Sequence, residues 1–114
     1  MPYIDGFLIP VRNQDRDRYR EHELQWWPMF KGFGALTLVV GWGDDVPAGT
    51  HTDFRRAVDL QPDETVVFSW ITWPDKETRD RAHARMMDEM PEVEMPFDGK
   101  RMVYGGFAAL IDER

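Results

Sequence analysis

The chain has 114 residues, enough for one domain (residues 1–114) with a single core, and no cysteine, which excludes disulfides and thiolate chemistry. Its net charge of −7 argues against nucleic acid as a partner. The N-terminus does not resemble a leader, and no stretch approaches the ~20 apolar residues of a membrane span. We therefore expect a cytoplasmic protein that does not contact membranes.

The first third of the chain predicts a strand followed by a helix. Residues 3–11 are rich in aromatic and branched side chains, and Pro10 marks the end of that strand or a place at a sheet edge. Residues 15–33 predict a helix. One face of it carries Tyr19, Glu23, Trp26 and Phe30. Because Pro28 removes a backbone donor, we expect a kink or break near Trp27.

The remainder predicts three strands and one helix. Residues 35–42 and 65–73 form strands, separated by a loop over 43–64 in which 54–60 forms a short extra strand. Asp75 is suited to cap a second helix, whose inner face carries Ala82, Met86 and Met90 and which Pro91 closes. After a turn-rich connector, residues 102–112 form the last strand.

The order strand–helix–strand, strand–helix–strand is that of the α+β, ferredoxin-like fold, a βαββαβ chain with a four-stranded antiparallel sheet and two helices on one face. Two helices cover one face only, yet strand 65–73 is apolar on both, with Phe68 and Trp70 opposite Val67 and Ile71. The second face therefore needs a cover. We favour a second copy of the chain, a homodimer, over the loop at 43–64 folded across the sheet.

Several stretches resemble the YbaA-like family, small bacterial proteins of unknown function. These stretches are YIDGF (3–7), GAL (34–36), GDDVP (43–47), ETVVFSWI (64–71) and MPFDGKRM (95–102). The resemblance implies a dimeric α+β barrel, related in shape to the antibiotic-biosynthesis monooxygenases. It implies no established activity and no catalytic residues.

Glu23 is the most informative candidate for chemistry, because it interrupts an aromatic helix face beside His22. A carboxyl group against aromatic rings has a raised pKa and can act as a general base, although an ion pair with a neighbour such as Arg20 explains it as well. His83 is interpreted as a rim histidine bonded to backbone. The three histidines are scattered, so we predict no metal site.

A cleft between helix and sheet is the default place for a ligand, and Trp26, Trp27, Trp70 and Arg56 are the predicted ligand-binding residues. Two functions stay open. One is a homodimeric protein that binds a small apolar or aromatic molecule; the other is a monooxygenase- or isomerase-like enzyme without a cofactor, with Glu23 and His22 as acid and base. No cofactor motif is present.

Overall fold

The computed structural model describes residues 1–89 and 95–114. The elements are β1 (Tyr3–Arg12), α1 (Arg16–Gly32), β2 (Thr37–Trp42), α2 (Phe54–Ala57), β3 (Glu64–Trp73), α3 (Lys76–Glu89) and β4 (Val103–Ala108). The four strands form one antiparallel sheet in the order β2-β3-β1-β4. This is the predicted ferredoxin-like architecture. In the part of the chain just defined, no helix is long and apolar enough to cross a membrane.

The central strand β1 accommodates a proline because its two neighbours differ in length. β3 pairs with β1 along the whole strand, from Tyr3 to Arg12, whereas β4 pairs with it only as far as Leu8. Pro10 lies beyond β4, so on that side no strand requires its missing N–H. The prediction of an edge position at Pro10 is therefore correct for one side of the strand.

The core lies between the sheet and the helices α1 and α3. One cluster joins Tyr19 of α1 to β1 and β3, and a second joins Ala82 of α3 to Trp73 of β3. From Val67 onward the helix-facing side chains of β3 are all buried; they are Val67, Ser69, Ile71 and Trp73. Alternation along the strand explains this pattern and confirms the predicted grouping of its side chains into two faces.

The structure corrects three predictions about secondary structure. α1 runs without a break through Pro28, although the proline cannot donate to the carbonyl of the preceding turn. Residues 54–57 are helical rather than extended, because Asp53 accepts a hydrogen bond from the Arg56 backbone N–H and caps a single turn. β4 ends at Ala108, four residues earlier than predicted.

The start of α3 follows its prediction. The Asp75 carboxylate accepts a hydrogen bond from the Thr78 backbone N–H at 2.8 Å, as an N-cap does. The predicted end of this helix, at Met90 and Pro91, lies outside the described residues.

Gly34 turns the chain from α1 into β2. Its φ of +111° lies in the region that only glycine adopts without strain, and a Cβ atom built there would lie 2.5 Å from the Thr78 Cγ2 atom of α3. Both the backbone angle and the close approach of the second helix therefore require glycine.

The sheet face opposite the helices is apolar and open; we call it the open face. Phe68 is 48% exposed, and its ring contacts Phe54 of α2 edge-on, with centroids 6.0 Å apart. A groove of about 600 Å³ crosses this face. The strand side chains that line it are Ile4, Leu8, Phe68, Trp70, Val103 and Phe107.

Candidate functional site

The space between α1 and the sheet holds a cavity of about 170 Å³ and, beside it, a groove of about 350 Å³ that opens towards β2. Glu23 and Leu38 line both, and we call the two together the α1 pocket. Apolar side chains make up most of the inner cavity wall: Phe7, Ile9, Trp26, Phe30, Leu38, Ile71, Met95, Phe97 and Met102. An apolar cavity of about 150 Å³ admits a benzene ring, so this one can hold a single ring.

Glu23 brings a carboxyl group into these surroundings. Its side chain is 20% exposed, and its Oε1 atom lies 3.7 Å from the Nδ1 atom of His22. Burial raises the pKa of Glu23, and the nearby Tyr19 hydroxyl opposes that rise only in part. The protonated, uncharged form of Glu23 is therefore favoured relative to an exposed glutamate.

His22 is held in one orientation by its neighbour a helical turn away. The Trp26 Nε1–H group donates to the His22 Nε2 atom at 3.2 Å, so the neutral imidazole carries its proton on Nδ1. That Nδ1 atom is buried and makes no hydrogen bond. Burial, together with the charge of Arg18, lowers the pKa of His22, so the neutral ring is favoured.

Tyr19 places a second unpartnered polar group in the α1 pocket. The residue is 2% exposed, lines the outer groove, and packs its ring edge-on against Phe97. Its hydroxyl lies beside the Glu23 carboxyl but makes no hydrogen bond of acceptable geometry. Burial and the proximity of Glu23 raise the pKa of the Tyr19 phenol well above its usual range, so the hydroxyl keeps its proton.

The predicted ligand-binding residues do not share one cavity. Trp26 lines the α1 pocket, whereas Trp27 packs against the second core cluster. Trp70 lies on the open face, separated from Trp26 by the sheet. Arg56 lies in the 43–64 loop and donates to the carbonyl oxygen of Gly49 at 2.8 Å. A single ligand site can therefore include Trp26 with Glu23 and His22, but not the other three.

A second polar cluster, the Asp5 network, lies under α3. Asp5 is 3% exposed, and its Oδ1 atom accepts a hydrogen bond from Arg79 Nε at 3.0 Å. Its Oδ2 atom accepts from Trp73 Nε1 at 2.9 Å and lies 2.9 Å from His83 Nε2. Burial opposes the charge, but the bonds from His83 and Arg79 outweigh it and lower the pKa of Asp5. The interpretation of His83 as bonded to backbone is wrong, because its hydrogen-bond partner is the Asp5 carboxylate.

Sequence reasoning missed the Asp5 network and the Tyr19 hydroxyl. The signal for the network was present: Asp5 interrupts the helix-facing series of β1, between the apolar side chains of Tyr3 and Phe7. No sequence signal indicates that the Tyr19 hydroxyl lacks a partner, since this depends on the distance between α1 and the sheet. Among the residues in view, 1–89 and 95–114, no three histidine, aspartate or glutamate side chains are grouped as a metal site requires.

Comparison with known proteins places the chain in a family. The model of a protein family of unknown function, DUF1428, matches residues 2–99. The uncharacterized protein YbaA of Escherichia coli K12 is 51% identical over 117 residues, covering 99% of this chain and all of the relative, and the YbaA proteins of Escherichia coli O157:H7 and Shigella flexneri match equally. A de novo designed protein, Foldit4, aligns with 96% of this chain at 16% identity and a TM-score of 0.47. By sequence, this chain belongs to the DUF1428 family and is a homologue of YbaA over its full length.

Proposed function

We propose that this protein is a homodimer that binds a small apolar or aromatic molecule in the α1 pocket. The observation that carries the binding proposal is that the apolar α1 pocket is lined by two residues with a buried, unpartnered polar atom: His22, with Nδ1, at the inner cavity and Tyr19, with Oη, at the outer groove. A buried polar group without a hydrogen bond costs about 1–3 kcal/mol, so such groups are rare in native proteins. A bound molecule that satisfies them recovers this free energy.

Binding is tested on protein that has been unfolded and refolded to remove any co-purified molecule. Ethylbenzene and acetophenone, each one ring with a short substituent, are titrated while the Trp26 indole N–H resonance is followed by NMR. We expect saturable shifts of this resonance, because Trp26 lines the cavity and its indole donates to His22. If neither compound shifts it at millimolar concentration, the binding proposal fails.

A cavity-filling variant separates specific binding from surface adsorption. Ser69 is buried and lines the inner cavity, so Ser69→Leu occupies the space that a ligand needs. Thr72→Leu makes the same kind of change on the same strand, on the opposite face of the sheet. We expect Ser69→Leu to abolish binding and Thr72→Leu to leave it unchanged. Equal affinity in the two variants contradicts the location of the site.

The homodimer is proposed from the open face. Arg12 and Glu64 are the charged strand positions on this side and lie opposite each other at the end of β1 and β3, whereas the positions that line the groove are uncharged. A second copy that covers the groove therefore buries no charge, even though each chain carries −7 overall. With strands about 4.8 Å apart and residues about 3.3 Å apart, the face measures roughly 20 by 20 Å. Exposed apolar patches with an area of this order often mark interfaces. Phe54 of the 43–64 loop reaches one corner and leaves Phe68 half-exposed, which argues against the loop as the cover.

Light scattering coupled to gel filtration measures the assembly. We expect a mass twice that of the 13.4 kDa chain. Val39→Lys places a charge on the open face and should yield a monomer, whereas Met87→Lys, on the exposed surface of α3, should not. A wild-type monomer refutes the dimer, and a Val39→Lys variant that stays dimeric refutes this face as its interface.

A second candidate function is proton transfer by Glu23 acting on the bound molecule. The contact of Glu23 with His22 at 3.7 Å favours it, because burial moves the two pKa values towards each other and prepares an acid/base pair. In this reaction the ionised carboxylate removes a proton from carbon next to a carbonyl group, the electron pair moves onto the carbonyl oxygen, and the proton is later returned to carbon. Deuterium uptake by small ketones in D₂O, followed by NMR, tests it. The rate should fall to background in Glu23→Gln.

A further inference from the structure

We infer that the molecule bound in the α1 pocket presents an uncharged oxygen acceptor, a carbonyl group, to His22 Nδ1–H and the Tyr19 hydroxyl. This inference rests on the proposed binding function and adds the chemical class of the ligand. It depends on which hydrogen-bonding atoms of His22 and Tyr19 already have a partner inside the protein.

His22 can only donate at its free nitrogen. Because Nε2 already accepts from Trp26, the ring proton lies on Nδ1, which is buried and unpartnered. A ligand amine or ammonium group facing this nitrogen would place N–H against N–H and satisfy neither. The ligand atom at this position must therefore be an acceptor.

Tyr19 supplies a second donor on the outer-groove side of Glu23. Its hydroxyl and His22 Nδ1 both lie beside the Glu23 carboxyl, which belongs to the inner cavity and to the outer groove. A carbonyl oxygen has two lone pairs and can accept from both donors, while the rest of the molecule lies in the apolar cavity. One ring in the cavity and one oxygen at Glu23 together match the α1 pocket.

Glu23 and the burial of the site exclude a carboxylate ligand. A carboxylate placed here would lose most of its hydration, and Glu23 offers no positive charge in return. Arg16 and Arg20 line the outer groove, with the Arg16 guanidinium 5.5 Å from the centre of the Trp42 ring, but neither lines the inner cavity and both residues are exposed. An uncharged oxygen avoids this desolvation.

Three probes of similar size test the inference: acetophenone, which has a carbonyl oxygen; ethylbenzene, which has none; and benzoate, which is charged. We expect acetophenone to bind about 10-fold more tightly than ethylbenzene, because the net free energy of two added hydrogen bonds corresponds to a difference in affinity of that order. Benzoate should bind most weakly. Equal affinity for acetophenone and ethylbenzene overturns the inference but leaves the binding proposal standing, and tighter binding of benzoate also overturns it. If no probe binds, the proposed function itself fails.

Two variants assign the preference to the named donors. Tyr19→Phe and His22→Leu should each reduce the preference for acetophenone over ethylbenzene several-fold, with little change in the affinity for ethylbenzene. Tyr104→Phe removes a hydroxyl from an exposed tyrosine on β4 and serves as the control. If Tyr19→Phe and His22→Leu weaken both probes equally, these residues act through packing and the inference is wrong.

Discussion

The unpartnered hydroxyl of Tyr19 makes an unusual prediction, which is that removing it stabilises the ligand-free protein. Tyr19 is 2% exposed, and its hydroxyl has no hydrogen-bond partner. Burying such a group costs about 1–3 kcal/mol, and the nearby Glu23 carboxyl offsets part of that cost. Phenylalanine keeps the ring and its edge-on contact with Phe97, whose centroid lies 5.8 Å away. We therefore expect Tyr19→Phe to raise the free energy of unfolding by about 1 kcal/mol.

Urea denaturation of refolded, ligand-free protein provides the measurement. For a domain of this size, about 1 kcal/mol corresponds to a Tm increase of roughly 4 °C and to a higher urea midpoint with an unchanged m value. Tyr104→Phe, at a site that is 71% exposed, should leave the midpoint unchanged. A lower midpoint for Tyr19→Phe would show that the hydroxyl is hydrogen-bonded without a ligand, and would refute the reasoning for both the site and its preference.

Three further predictions concern charge. The pKa of Glu23 is raised on folding, so Glu23 stabilises the protein below about pH 4.5 and loses that contribution as pH rises through its folded value. In urea titrations, the free energy of unfolding of Glu23→Gln relative to wild type should therefore be higher at pH 8 than at pH 5. Asp5→Asn removes the buried carboxylate that pairs with Arg79, which keeps only its contact with Asp80, and should cost about 3 kcal/mol, by thermal unfolding. The contribution of Asp5, whose pKa is lowered, is present above about pH 3.8 and is lost as pH falls through its folded value. Arg101→Lys breaks the two-pronged bond to Glu64, at 2.7 and 2.6 Å, and should cost about 1 kcal/mol by the same assay, whereas unchanged stability would show that one ammonium group is sufficient.

The fold was largely predictable because periodicity and hydrophobicity agree along most of the chain. The predicted strand at 65–73 agrees with β3 within one residue, and its side chains are divided correctly between two faces, although Trp70 is expected at the helices and lies on the open face. A kink or break of α1 is predicted near Trp27 because local rules treat the following proline as a terminator. Packing of Tyr19 before it in the first core cluster and of Phe30 after it against the second keeps the helix continuous. Tertiary contacts outweighed local preference there.

The candidate site was predictable only in part. The sequence predicts Glu23 because a carboxylate within an aromatic helix face is visible as a pattern, and it predicts His22 because this residue is the neighbour of Glu23 in the chain. Trp70 and Arg56 were grouped with them on residue type alone. Which face of the sheet a tryptophan occupies, and whether an arginine is engaged by its own loop, depend on register and loop path, which composition does not contain.

The turn at Gly34 has a consequence for how this sequence can change over time. Any side chain at position 34 meets two separate obstacles, a positive φ and the Thr78 methyl group 2.5 Å from its Cβ. Shortening Thr78 to serine removes the collision but leaves the backbone penalty of about 1 kcal/mol or more for a non-glycine residue. Drift at these two positions is therefore asymmetric. A smaller residue at position 78 is compatible with Gly34, but a substitution at 34 requires a prior change at 78 and still starts from a less stable chain.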